Sequence, residues 1–136
     1  MFNEQAYLLA YSDVKTSVDN GSTSSGLQHY QQTGQFEINR FGFFFGTNAN
    51  DTITGFGNNK LIAGLGMDVL SSTATVAGDG QIDTLIGSPG QDVFMLGHPT
   101  LSTLSSTPQK FYVGGGNTDY ALIQNFQRGS DRIVLE

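Results

Sequence analysis

The clearest pattern in the chain is a nine-residue alternation of polar and apolar positions across residues 46–97. Each unit carries glycines, then an acidic or amide side chain, then an aliphatic residue, at fixed offsets. The best-matched units cover residues 55–63 and 64–70. This period fits neither an amphipathic helix nor a simple hairpin. It is typical of a chain that makes one turn and one short strand and then repeats, and it predicts a parallel β-roll of stacked turns.

Each position of the unit has a physical role in such a turn. Glycine permits positive φ and lets backbone carbonyls converge. The acid two residues beyond the second glycine adds charge, and calcium prefers about six to eight carboxylate and carbonyl oxygens. The aliphatic residue two positions further on points inward from a short strand. The candidate calcium ligands are therefore Asp51, Asn59, Gly64, Gly66, Asp68, Asp79, Asp83, Gly87, Gly90 and Asp92.

The N-terminal third has a different pattern, with apolar residues at helical spacing. We predict three short helices over residues 4–10, 12–18 and 24–31, with Ser12 and Ser24 as N-caps. These helices predict a small helical module in front of the repeats.

The most hydrophobic run of the protein, residues 41–45, follows this module. In an extended chain Phe41, Phe43 and Phe45 would face the same way. Two interpretations stay open: the strand closes the open end of the roll, or the aromatic strip is an assembly surface that joins copies of the protein. An unprotected strand edge invites pairing between molecules.

The repeat resembles the haemolysin-type, or RTX (repeats-in-toxin), calcium-binding nonapeptide Gly-Gly-x-Gly-x-Asp-x-(apolar)-x. Five degenerate copies are present. Residues 119–135 resemble the closing strand pair that follows such rolls in cyanobacterial-type secreted proteins, and residues 6–40 resemble a short module that accompanies them. The resemblance implies Ca²⁺ as cofactor. It also implies an extracellular, secreted protein, exported by a type I system that needs no N-terminal signal peptide.

In the family that the repeat resembles, one ion lies between turns i and i+2, which share an edge of the roll. This rule divides the turns into two sets. The sets are Asp51, Asp68 and Asp92 on one edge, and Asn59 and Asp83 on the other. Six extra residues around 71–76 predict a bulging loop, which could shift this parity. Asp119 and Asp131 either complete a calcium site at the C-terminal end of the roll or are solvated residues at strand ends.

Composition narrows the class of function. Twelve acidic residues against six basic ones give a net charge of −6, which argues against nucleic-acid binding. The chain has no cysteine, so calcium would take the stapling role of disulfides. No apolar run approaches the roughly 20 residues of a membrane span. No G-x-S-x-G elbow or histidine pair at metal-ligand spacing is present, so we expect no enzymatic activity.

These observations predict a mainly β fold: a parallel β-roll of stacked nonapeptide turns, a small helical N-terminal module and a C-terminal closing strand pair. The helical module spans residues 1–40 and the roll 41–136, with its cap at 97–136. The expected function is that of a secreted calcium-binding structural protein, a self-associating subunit of an extracellular matrix, surface layer or filament. Two alternatives are the C-terminal folding and secretion module of a larger secreted enzyme, and a surface-binding adhesin.

Overall fold

The computed structural model describes residues 1–37, 39–72, 80–98, 109–110, 112 and 115–135. Its helices are α1 (Glu4–Ala10), α2 (Ser12–Asp19) and α3 (Gly26–Gln32), with 3₁₀ turns at Gly34–Phe36 and Gly116–Thr118. In chain order its strands are β1 (Gly42–Phe45), β2 (Thr52–Gly55), β3 (Asn59–Ile62), β4 (Val69–Ser72), β5 (Ile82–Ile86), β6 (Val93–Met95), β7 (Gly97–His98), β8 (Gln109–Lys110), β9 (Tyr120–Gln124) and β10 (Arg132–Val134).

The three predicted helices are confirmed, each within two residues of its expected bounds. The N-caps of α2 and α3 differ from the predicted ones. Ser25 rather than Ser24 caps α3, and its Oγ accepts a bond from the Gln28 N–H at 3.0 Å. Ser12 is the first residue of α2 instead of its N-cap, because Tyr11 occupies the position that links α1 to α2.

Eight of the described strands form two parallel sheets, and consecutive strands alternate between them. The first sheet has the order β1-β3-β5-β9 and the second β10-β6-β4-β2. Strands β7 and β8 form a separate antiparallel pair. Alternation explains the sequence period: each turn carries the chain from one sheet to the other, so two units separate neighbouring strands of a sheet.

The prediction of a mainly β parallel β-roll is wrong. The structure is an α/β fold with two parallel sheets of four strands each and three helices. The predicted closing strand pair is also wrong, because β9 pairs with β5 and β10 pairs with β6, in different sheets. The physical reason is that apolar residues of the helices, Tyr7, Val14 and Tyr30, are buried in the same hydrophobic cluster as the inward residues of the strands.

The core lies between the sheets in two columns set by the strand register. Phe44, Leu61 and Leu85 are aligned in the first sheet, and Ile53, Leu70 and Phe94 in the second. All six are almost fully buried. Strands β3 and β5 are neighbours in the first sheet, and the predicted equivalent positions Asn59 and Asp83 pair with each other. The extra residues around 71–76 therefore do not shift the alternation; positions 73–76 themselves lie outside the described residues.

The N-terminus covers the outer edge of β1. The Asn3 N–H donates to the Phe43 carbonyl at 2.6 Å, the Phe45 N–H donates to the Met1 carbonyl at 2.9 Å, and Phe2 forms an antiparallel bridge with Phe44. The side chain of Phe44 points inward and packs edge-to-face on the rings of Phe2 and Phe56. Residues 1–3 therefore close this end of the first sheet.

Candidate functional site

Four aspartates form a regular ladder at the start of the strands of the second sheet. Asp51, Asp68, Asp92 and Asp131 immediately precede β2, β4, β6 and β10. The backbone N–H of each donates to the Oδ1 atom of the next, at 2.8, 3.0 and 3.0 Å. This aspartate ladder confirms the predicted grouping of Asp51, Asp68 and Asp92 on one edge, and it adds Asp131 as the fourth rung.

In three of the four rungs the second carboxylate oxygen closes the residue's own turn. The Oδ2 atoms of Asp51, Asp92 and Asp131 each accept a bond from the backbone N–H four positions earlier. The donors are Thr47 at 2.6 Å, Ser88 at 2.7 Å and Gln127 at 2.7 Å. Hydrogen bonds to an ionised acceptor are about twice as strong as neutral ones. Each of these carboxylates therefore fixes one turn, and those of Asp92 and Asp131 also join it to the preceding turn on the same edge.

Asp68 is the exception in the aspartate ladder. Its side chain is fully buried, its Oδ1 accepts the Asp51 N–H, and its Oδ2 has no hydrogen-bond partner among the described residues. Burial raises the pKa of this carboxyl; the hydrogen bond from Asp51 opposes the shift, and the charges of Asp92 and Asp51 add to it. A buried polar atom without a partner costs about 1–3 kcal/mol.

A second, shorter ladder lies on the edge of the first sheet. The Asn59 N–H donates to Asp83 Oδ1 at 2.9 Å, which confirms that these two residues share an edge. The Asn59 amide group donates to the Gly57 carbonyl at 2.8 Å and to the Ser72 hydroxyl at 3.1 Å, so Asn59 holds its own turn as a hydrogen-bond donor. This bonding gives Asn59 a structural role as a donor, while its Oδ1 atom has no hydrogen-bond partner among the described residues.

Asp83 has a partner that the repeat pattern did not indicate. The Tyr112 hydroxyl donates to Asp83 Oδ2 at 2.6 Å. Burial raises the pKa of Asp83 to about 6, although the hydrogen bonds from Tyr112, Ser72 and the Asn59 N–H act in the opposite direction. Burial also raises the pKa of Tyr112, so the phenol stays protonated and donates. The long-range partner of Asp83 has no signal in the nonapeptide period.

The repeat glycines allow the turns to stack closely. Gly64 has φ +92°, and a Cβ atom there would lie 2.0 Å from the Thr47 carbonyl oxygen. A Cβ on Gly90 would lie 1.9 Å from the carbonyl oxygen of Gly66, which itself has φ +118°. Gly87 packs against the Phe94 ring, at 2.9 Å from an added Cβ. These predicted ligand residues therefore have a steric role in turn stacking.

One oxygen atom of the aspartate ladder is available to a cation. Among the described residues, no group of three or more acidic, histidine or cysteine side chains is positioned to hold a metal, and the candidate ligand Asp79 lies outside them. Most ladder oxygens already accept backbone N–H groups. The orphaned Oδ2 of Asp68 could supply one ligand to a cation, because it is a buried acceptor with no donor in the described parts of the chain.

None of the helices in the described parts of the chain is long and apolar enough to cross a membrane. Comparison of the chain with models of protein families, with curated proteins and with solved structures gave no match. The functional assignment therefore depends on the geometry of the two ladders.

Proposed function

We propose that this protein is a non-enzymatic structural module of the haemolysin-type repeat class, stabilised by calcium at Asp68. The observation that carries the proposal is the fully buried Oδ2 atom of Asp68, which no described donor satisfies. Carboxylates are preferred calcium ligands. Asp51 and Asp92, the neighbouring rungs, bring further negative charge to the same place.

The energetic effect of such an ion is moderate. It would offset the desolvation of one carboxylate and its repulsion by two neighbours. An ion at 100 times its dissociation constant stabilises a fold by about 2.7 kcal/mol, which is similar to the cost of about 1–3 kcal/mol for an unsatisfied buried group. Calcium would therefore raise the stability of a fold whose other turns are already closed by hydrogen bonds.

Calcium dependence of this size suits a protein that works outside the cell. Extracellular calcium modules bind their ions at about 10⁻⁴–10⁻³ M. A secreted chain would therefore gain this stability only after export. The absence of cysteine is consistent with such a role, because a metal replaces the disulfide as the staple.

The test is a pair of thermal melts, in chelator and in millimolar calcium, with titration calorimetry on the same samples. We expect calcium, but not an equal concentration of sodium salt, to raise the melting temperature of the wild type. Asp68→Asn should be at least as stable as the wild type in chelator, because the unpaired charge is gone, and should not respond to calcium.

The matched control is Asp119→Asn. The Oδ2 of Asp119 caps its own turn by accepting the Gly115 N–H at 3.2 Å, away from the aspartate ladder. This variant should keep the calcium response of the wild type. A calcium response that survives in Asp68→Asn, or a wild type that shows none, contradicts the proposal.

A structural subunit also needs contacts with other copies, and we propose that this protein self-associates. The predicted phenylalanine strip is poorly placed for that contact. Phe41 and Phe43 are half-buried, and the Lys60 ammonium lies over their rings, 5.8 and 5.9 Å from the centroids. Because residues 1–3 also cover the edge of β1, the contact is better made by another part of the sheets.

A further inference from the structure

The second sheet has an open edge at each end. Its order runs from β10 to β2, and among the described residues no backbone group pairs with the outer side of either strand. The first sheet differs, since residues 1–3 occupy the outer side of β1. Unpaired strand edges are templates for pairing with another chain.

The backbone groups at the two open edges can be identified from the observed bonds. The Val69 N–H donates to the Asp51 carbonyl, so the groups of Asp51 and Ile53 face β4 and those of Thr52 and Thr54 face outward. At the other edge, the Arg132 N–H donates to the Asp92 carbonyl, so the Ile133 groups face outward. The outward groups of β2 and β10 therefore lie on the two open edges of the sheet, and these two strands run in the same direction.

The aspartate ladder is incomplete at the same two ends. In every internal step, an aspartate N–H donates to the Oδ1 atom of the next rung. No described residue donates to Oδ1 of Asp51, the first rung. The N–H of Asp131, the last rung, donates only within its own turn, to the Gln127 carbonyl at 2.9 Å. One end of the ladder therefore has an acceptor without a described donor, and the other has an N–H that bonds only within its own turn.

We propose that copies of this protein associate head to tail through the second sheet, with β10 of one copy paired in parallel with β2 of the next. This inference rests on the proposed structural function. Extending the internal register places Asp131 opposite Asp51 of the next copy, Ile133 opposite Ile53 and Val134 opposite Thr54. The Thr52 N–H of the next copy then reaches the Asp131 carbonyl. The Asp131 N–H lies opposite Oδ1 of Asp51 and would exchange its bond to the Gln127 carbonyl for one to that oxygen.

The core column of the second sheet is left uncovered at its β10 end. The inward column of the second sheet consists of Ile53, Leu70, Phe94 and Ile133. The first three are buried, whereas Ile133 is 45% exposed because no described strand packs on its outer side. A second copy would cover Ile133 with the edge of its β2, whereas Ile53 of that copy is already buried in its own core. The two contacting surfaces are different, so the association is heterologous and can propagate into a filament.

The test uses two variants that each block one end. Thr52→Pro removes an outward N–H, which an edge strand tolerates. Its control, Thr52→Val, changes the side chain but keeps the N–H. Ile133→Lys puts a charge at the C-terminal end of the core column, where the half-exposed chain can extend to solvent. Circular dichroism confirms that each variant is folded.

Sedimentation velocity over a concentration series, in calcium, measures the association. We expect the wild type and Thr52→Val to form larger species with concentration. Thr52→Pro should weaken association about tenfold or more, equivalent to at least about 1.4 kcal/mol. Mixing Thr52→Pro with Ile133→Lys should give a dimer, because each variant keeps the end that the other has lost.

The outcomes separate this inference from the calcium proposal. A wild type that binds calcium but stays monomeric overturns only the head-to-tail contact, and association without calcium binding overturns only the calcium site. Thr52→Pro that associates like the wild type, or a mixture that stays monomeric, overturns the proposed interface. If Thr52→Pro does not fold, Ile133→Lys that associates like the wild type overturns it as well.

Discussion

Replacing Asp83 by asparagine should change how the stability of the fold depends on pH. The carboxyl of Asp83 is fully buried, and its pKa is raised from 3.8 to about 6, chiefly by burial. The folded state therefore binds this proton more tightly than the unfolded state. The stabilising contribution is complete below pH 3.8 and is lost as the pH rises through about 6.

The size of the effect follows from the shift. One pKa unit corresponds to about 1.36 kcal/mol, so a shift of roughly two units makes the ionised form of Asp83 cost about 3 kcal/mol at neutral pH. The asparagine side chain of the Asp83→Asn variant cannot ionise. Its amide oxygen can still accept the Asn59 N–H, and its amide nitrogen can donate to the Tyr112 hydroxyl. The difference in unfolding free energy between variant and wild type should therefore rise with pH.

Urea unfolding in chelator, at several pH values from about 3.5 to about 7.5, measures that difference. A constant offset from the altered hydrogen bonds does not affect its slope. Asp51→Asn is the control with the opposite sign, because the Thr47 N–H and hydroxyl lower the pKa of Asp51 and its contribution is lost as the pH falls. Parallel pH profiles for Asp83→Asn and the wild type would refute the assignment of Asp83 as a buried, destabilising carboxylate.

Three further predictions follow from the ladders and turns. Tyr112→Phe removes the hydroxyl that favours the ionised form of Asp83, so it should steepen the loss of stability with pH in the same urea experiment. Gly64→Ala should destabilise by more than about 1 kcal/mol in thermal melts, because the added Cβ meets a carbonyl at 2.0 Å; Gly21→Ala, with φ +80° and open space around it, should cost less. Asn59→Ala should lose about 1–3 kcal/mol of stability yet keep the calcium affinity of the wild type, as calorimetry would show, and a lost affinity would place the ion at the other edge.

The parts of the fold that local patterns specify were predictable from the sequence. Helix signals in the first third gave the three helices, and the nonapeptide period gave the inward residues of the strands. The same period gave the two edge sets, which the bonds from Asp51 to Asp68 and from Asn59 to Asp83 confirm. Stacking repeats place residues of one position above one another whatever lies between them, which is why the extra residues did not disturb the pattern.

The parts that depend on long-range packing were not predictable. The fold class was wrong because periodicity does not show that Tyr7 and Tyr30 of the helices enter the strand core. The cover over β1 comes from residues 1–3, a segment with no strand pattern of its own. Tyr112 reaches Asp83 across 29 positions. The unpaired oxygen of Asp68 depends on the exact course of its turn and could only be seen in the structure.

The direction of the aspartate ladder also determines the order in which its turns can be completed during synthesis. Each rung donates to a carboxylate that comes later in the chain, over separations of 17, 24 and 39 positions. A polypeptide that emerges from the ribosome with its N-terminus first therefore lacks the acceptor for its newest rung. The last step, from Asp92 to Asp131, closes the longest loop and has the largest entropy cost. The first two steps can form once Asp92 has emerged, whereas the ladder cannot be complete until Asp131 has emerged.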